Sequence, residues 1–250
     1  MTSEEISLLN PNTGNCPVFQ NKISKSITMS IYRHVPVLYN NNNLEENYWD
    51  SSLKRLFDMA LDADLFKDRK TFDLENWLLT GNVWRKENML YYPLYEGKMI
   101  HHFDHRSSTY ENKKFRPLTK QEKTNPSFVA QPRYWVPYQD VQERTTGLPT
   151  CLTGWRNVTR STDSRTLICA SFPKMGVGNS LQIETTPHSD LLVSLHLVDN
   201  ASFVHDFITR QKVGGANINM FIYEQLAALS PEQLAPALQF GNHVTELTVT

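Results

Sequence analysis

The stretch LYYPLYEGKMIHHFD, residues 90–104, decides the fold class. Its aromatic and branched side chains suit a pleated face, and Glu96-Gly97 separates two such runs, so the pattern predicts strand, turn, strand. Outward from it, residues 134–138, 165–172 and 181–183 read as further short strands. Beyond them the period changes. Residues 191–198 and 201–212 place apolar side chains at helical spacing, Gly214-Gly215 ends the second helix, and a short helix over 220–229 precedes Pro231. The closing segment GNHVTELTVT, 241–250, alternates weakly, as a strand or a frayed end. Strands in the middle followed by helices predict an α+β fold with a mixed or antiparallel sheet and C-terminal helices, not a regular βαβ series.

On the N-terminal side, SSLKRLFDMALDADLF, 51–66, predicts an amphipathic helix capped by Ser51 or Ser52. Its stripe of Leu53, Leu56, Phe57, Ala60, Leu61 and Leu65 reads as core packing. Residues 1–45, rich in Asn, Pro and Ser, predict an extended arm with little core of its own. A long, lysine-rich polar segment, 107–132, predicts an ordered loop or insertion.

With 250 residues the chain can bury one large core or two small ones. Twelve Phe, ten Tyr and five Trp argue against extensive disorder. Lys and Arg number 25 against 26 Asp and Glu, so the net charge of −1 advertises no polyanion partner. A nucleic-acid surface would have to be a local basic patch balanced by acids elsewhere. Cys16, Cys151 and Cys169 are too scattered for a disulfide framework or a zinc motif, which fits a reducing cytoplasm. No basic-plus-apolar leader opens the sequence, and no apolar run approaches the roughly 18 residues of a membrane span. The expectation is a cytoplasmic protein without a membrane partner.

Two clusters hold the residue types of metal chemistry. In HHFDHR, 101–106, His102 and Asp104 alternate as on a strand, and His188, His196 or His205 could complete a two-His, one-carboxylate iron site. The alternative is a hydrogen-bonded structural cluster, or one that faces nucleic acid. Glu96-Gly97-Lys98 matches the E-x-K half of a nuclease site, with Asp73 as the upstream carboxylate and Lys98 positioning the attacking water. A turn at Gly97 competes with that reading. Motifs of methyl transfer are missing. Asn125-Pro126-Ser127-Phe128 comes closest to the Asn/Asp-Pro-Pro-aromatic loop, but no strand precedes it. Gly176-Val177-Gly178 lacks the strand-loop-helix setting of a cofactor loop. Between Trp155 and Lys174, Arg156, Arg160, Arg165 and Lys174 alternate with Ser and Thr, which suits phosphates and guanine edges or a solvated polar face equally.

Several strings together resemble the C-terminal region of large adenine-N6 DNA methylases, in restriction-modification enzymes and in phage-defence methylases of the DISARM and BREX type. They include LLNPNTGNCPVF (8–19), YRHVPVL (32–38), PLYEGKMIHHFDHR (93–106) and RYWVP (133–137). They continue with WRNVTRSTDSRTLICASFP (155–173), GVGNS (176–180) and FVHDFITRQKVGGANINMFIYEQL (203–226), in the family's order. The resemblance implies a TaqI-like target-recognition domain over 91–250, with 1–90 as an arm and helix packing on a methylase core outside this chain. It also implies double-stranded DNA and that core as partners, and S-adenosylmethionine as the core's cofactor, with no cofactor in this chain.

On that resemblance the expected DNA contacts are Lys98, His105, Arg106, Arg156, Arg160, Arg165 and Lys212, most of them in PLYEGKMIHHFDHR and the TRSTDSRT segment, the two most specific strings. Arg156, Arg160 and Arg165 would hold phosphates or read guanines, and His105 and Arg106 would end a groove-facing strand. Arg165 could instead pair with Asp163 or Asp104. The competing functions are an autonomous metal enzyme, through Asp73, Glu96 and Lys98 or through His102 and Asp104, and a non-catalytic interaction platform in a defence complex.

Overall fold

The computed structural model describes residues 1–240, so the tail segment 241–250 lies outside the described residues. Helix makes up 33% and strand 23%, in mixed and antiparallel sheets, and the fold is α+β. In chain order the elements are α1 (Ser3–Leu9), α2 (Lys22–Tyr32), β1 (Ser52–Lys54), α3 (Arg69–Leu74), β2 (Leu78–Thr80), β3 (Val83–Lys86) and β4 (Met89–Tyr95). There follow β5 (Ser108–Glu111), β6 (Lys114–Pro117), α4 (Lys120–Thr124), β7 (Trp135–Pro137), α5 (Tyr138–Arg144), β8 (Cys151–Arg156), β9 (Cys169–Pro173), β10 (Gly176–Val177) and β11 (Leu181–Thr185). The last helices are α6 (Asp190–Asn200), α7 (Phe203–Lys212), α8 (Met220–Tyr223) and α9 (Pro231–Leu234). Among the described residues no helix is long and apolar enough to cross a membrane.

Two compact units emerge, both discontinuous in sequence. Unit 1 comprises residues 1–53, 157–169 and 184–250, and unit 2 comprises 54–156 and 170–183. The sequence reading instead divides the chain once, at residue 90.

In unit 2 the seven-residue β4 organises a mixed sheet. It pairs antiparallel with β3 at Trp84↔Tyr91 and with β7 at Tyr92↔Val136, and parallel with β10 at Leu94↔Gly176. Beneath it Phe57, Leu94, Met99, Val136, Phe172, Leu181 and Ile183 form one core, and Phe72, Trp77, Trp84 and Trp135 form an aromatic second core. β8 approaches β11 so closely at Gly154 that a Cβ there would lie 2.1 Å from the Gln182 carbonyl oxygen, which is why no larger residue fits.

Three expectations for this unit are corrected. Residues 51–66 do not form a helix: Asp58 accepts the amides of Ala60 and Leu61, and Asp62 accepts that of Asp58. These side chains offer the backbone a turn in place of helical hydrogen bonds, and Leu61 is left 85% exposed while Phe57 is buried. The second strand of 90–104 is absent as well. A 3-10 turn, Gly97–Met99, follows β4, and His101 and Asp104 then exchange backbone hydrogen bonds across a tight turn with Phe103 at φ +58°. Finally, the polar segment 107–132 is a hairpin, β5–β6, followed by α4. Asn112 and Lys113 make its two-residue turn with φ of +50° and +63°, as a hairpin turn of the primed kind requires.

Unit 1 corrects the reading of residues 1–45. A capping box between Thr2 and Glu5 starts α1, Asn21 caps α2, and Glu5 pairs with Lys25 at 2.8 Å. Leu9, Met29, Tyr32 and Val37 form a core with Ile208 and Ala227, so this segment is built into the unit. The expected helices over 191–198 and 201–212 are α6 and α7, each with a serine N-cap. Inside unit 1 lies a buried polar network. The Glu184 carboxylate accepts from Ser51 Oγ (2.6 Å) and Tyr223 Oη (2.8 Å), with His196 Nε2 at 3.3 Å. Burial alone would raise the Glu184 pKa, but the His196 charge and the hydrogen bonds hold it below its ordinary value. Burial likewise opposes a charged His196, and Glu184 outweighs it and raises the imidazole pKa.

Candidate nucleic-acid interface

Charge is not spread evenly over the chain. Unit 2 carries 18 Lys and Arg against 13 Asp and Glu, a formal +5, and unit 1 carries 7 against 13, a formal −6. The near-neutral total hides this separation. Within unit 2 the cations converge on a cleft of about 550 Å³ lined by Arg69, Lys70, Tyr110, Lys113, Arg133 and Tyr134, among others.

Local structure explains why these residues meet. Lys67 and Trp135 exchange backbone hydrogen bonds (3.0 and 2.9 Å), which sets the start of α3 beside residues 133–135. Asp68 caps α3 by accepting the Thr71 amide at 3.0 Å, leaving Arg69 and Lys70 on the first turn. On the other side the Tyr110 amide donates to Gln131 O, and the Gln131 amide to Thr109 Oγ1. The β5–β6 hairpin thereby stands next to the same segment and carries Lys113 at its tip. The Arg133 guanidinium lies over the Tyr134 ring, 4.7 Å from its centroid, and the Tyr134 ring stacks on Phe66. Arg69 faces Asp73 across 3.8 Å with both side chains exposed, a weak pairing. Among the described residues Lys70, Lys113 and Arg133 make no ion pair. The cleft is thus a cationic, aromatic-edged recess, the combination that holds phosphates and planar groups.

The residues expected from sequence divide between the units, with Lys98, His105, Arg106 and Arg156 in unit 2 and Arg160, Arg165 and Lys212 in unit 1. Packing sorts them further. Lys98 and Arg160 are exposed, and no side-chain hydrogen bond or ion pair holds either among the described residues. Arg106 donates to the carbonyls of Phe128 and Lys123, and Arg156 to that of Ile100. Arg165 bonds the Ala201 carbonyl and lies over the Phe203 ring, with neither proposed aspartate as partner. His105 sits 3.4 Å from Tyr95 Oη; burial lowers its pKa and the Arg106 charge adds to that. Lys212 turns inward: its ammonium donates to Leu9 O, Asn10 Oδ1 and Gln225 O and lies 4.6 Å from the Tyr32 ring centroid, so its three protons are engaged within unit 1 and not on a phosphate.

The loop that holds Arg160 and Arg165 is itself fixed by α7. Asp206 accepts the amides of Thr166 and Leu167, and Arg210 donates to the carbonyls of Ser161, Asp163 and Ser164. The sequence does not single out Arg69, Lys70, Lys113 and Arg133 as a group, because they come from three separate stretches, 69–70, 113 and 133. The lysine-rich character of 107–132 was the signal that could have found Lys113.

The metal readings meet a different geometry. Asp104 accepts from Lys123 Nζ at 2.5 Å and from the Arg106 amide, in a turn in place of the expected strand. His188, His196 and His205 are bonded or paired to Tyr48 O, Glu184 and Asp199. Glu96 precedes the 3-10 turn, with one carboxylate oxygen buried and unbonded. Burial raises its pKa, and the charges of Arg133 and Lys98 work against that rise. Asp73 is exposed on α3. Among the described residues no three His, Cys, Asp or Glu side chains gather where they could hold a metal ion. No protein-family model, curated protein or solved structure matches this chain.

Proposed function

We propose that this chain is the DNA-recognition part of an adenine-N6 methyltransferase of a restriction or phage-defence system, working in the cytoplasm beside a catalytic core that lies outside it. S-adenosylmethionine would belong to that core. One observation supports DNA binding independently of the family resemblance: positive charge is concentrated in unit 2, where unpaired cations line one cleft. Lysine and arginine heads that neutralise phosphates release counterions, and this supplies affinity and positioning without reading sequence. Lys98 is a further exposed cation of the same unit. Holding the flanking phosphates would steady the duplex while the core extrudes its adenine.

The test is duplex binding by the full chain, followed by fluorescence anisotropy between about 50 and 200 mM salt. Lys70→Gln with Lys113→Gln is expected to weaken binding and to flatten the log–log salt slope by about 2, one per lost phosphate contact. Absence of binding at low salt, or a slope unmoved by the double substitution, overturns the reading.

A further inference from the structure

We infer that the cleft between α3, the β5–β6 hairpin and Arg133 receives an unpaired nucleotide, from a single strand or from a base displaced out of a duplex, and not the paired duplex itself. The inference rests on the reading that the chain binds DNA, and three observations carry it beyond that.

The first is size. At about 550 Å³ the cleft falls in the range of small-ligand sites, about 300–1,000 Å³. A duplex, whose major groove alone is about 12 Å wide, can touch its rim but cannot enter it.

The second is the nature of the walls. Arg133 lies over Tyr134, and Tyr134 stacks on Phe66, so a guanidinium is held as the outer layer of a supported stack. Unstacked bases lie readily on arginine planes and aromatic rings, whatever their identity. Tyr110 offers a second, half-buried ring, which its edge contact with Phe115 holds at a centroid distance of 5.1 Å.

The third is the placement of charge. Lys70 and Lys113 come from different walls, α3 and the hairpin tip, with no acidic partner. Asp68, the one carboxylate in the lining, is engaged in capping α3. A phosphate on either side of a base held against Arg133 would find a cation. A site for duplex phosphates alone would need no aromatic floor.

The experiment compares three labelled probes of one sequence with the full-length chain at one salt concentration: a single strand, a paired duplex, and that duplex with a single-base bulge. The single strand and the bulged duplex are expected to bind about tenfold tighter than the paired duplex. Tyr110→Ala and Arg133→Ala should each reduce that preference several-fold, since a base–aromatic or base–arginine stack is lost. Tyr110→Ala should leave paired-duplex affinity within about twofold, as it removes no charge. Both residues lie at the surface of the cleft, and unchanged thermal midpoints would show that the variants fold. Equal binding of all three probes, or a preference that neither variant moves, overturns the inference while salt-dependent duplex binding still supports the broader reading. Failure to bind any probe overturns both.

Discussion

At Lys212, a cation that the sequence presents as a phosphate contact instead directs its ammonium at three acceptors inside unit 1, namely Leu9 O, Asn10 Oδ1 and Gln225 O. Burial drives its pKa well below the ordinary lysine value, and those oxygens, with the Tyr32 ring, favour the charged form. Lys212→Met strands the acceptors and is expected to lower stability by about 3 kcal/mol, read from urea unfolding, with DNA affinity of the folded fraction unchanged. The Glu184–His196 pair makes a pH prediction. His196 has a raised pKa when folded, so its contribution is complete below about pH 6.5 and is lost as pH rises through the folded value. Glu184 has a lowered pKa, so its contribution is present above about pH 4.5 and is lost as pH falls through the folded value. The thermal midpoint should therefore decline on both sides of that window. His196→Gln should remove the alkaline decline; if the decline persists in that variant, another group is responsible.

Among the elements, the misread helix at 51–66 and the misread arm at 1–45 fail for opposite reasons. Apolar spacing over 51–66 is helical, yet Asp58 and Asp62 capture the amides a helix would need, and Asp62 is also held by Arg144 at 2.8 Å, which pulls its pKa down to about 2. Residues 1–45 look loop-like in composition, although the capping box from Thr2 to Glu5 is visible in the sequence and does start a helix. The hairpin at 108–117 carries no glycine signal in the sequence, because its turn is Asn112-Lys113, where lysine stands in the positive-φ position usually given to glycine. In the aromatic core Phe72 stacks on Trp84 and meets Trp77, Tyr91 and Trp135 edge-on. Phe72→Leu is expected to cost about 1–3 kcal/mol, and Phe72→Ala about 3–5 kcal/mol, with chemical denaturation as the measure. Because Lys67 and Trp135 tie the start of α3 to the cleft wall, Phe72→Ala should also weaken DNA binding near its unfolding midpoint. For the 160–167 loop, Asp206→Ala removes the acceptor of two amides and the Arg210 partner. Hydrogen exchange at Thr166 and Leu167 should then accelerate at least tenfold, while the α2 amides keep their protection.

For the molecule as a whole, a net charge of −1 proves a poor guide, since +5 and −6 reside in separate units. The consequence is measurable. Arg133→Gln in the basic unit should reduce DNA affinity and salt slope more than Arg160→Gln in the acidic one, although Arg160 belongs to the most arginine-rich stretch of the sequence. Equal effects would mean that local exposure, not the field of the unit, governs binding. The chain crosses between units at residues 53–54, 156–157, 169–170 and 183–184, and no compositional break marks these points.

By itself the sequence determined the α+β class, the C-terminal helices and the short strands at 134–138 and 181–183, because hydrophobic period and capping act over a few residues. It also supplied the cations, without ranking them. Only the tertiary structure decided that Arg106, Arg156, Arg165 and Lys212 are held by oxygens of the protein, and that Arg69, Lys70, Lys113 and Arg133 share a cleft. Those outcomes depend on pairings between distant residues, Lys67 with Trp135 and Tyr110 with Gln131. A short-range pattern in sequence does not encode which backbone carbonyl a guanidinium will reach, since chain segments far apart in sequence supply both partners.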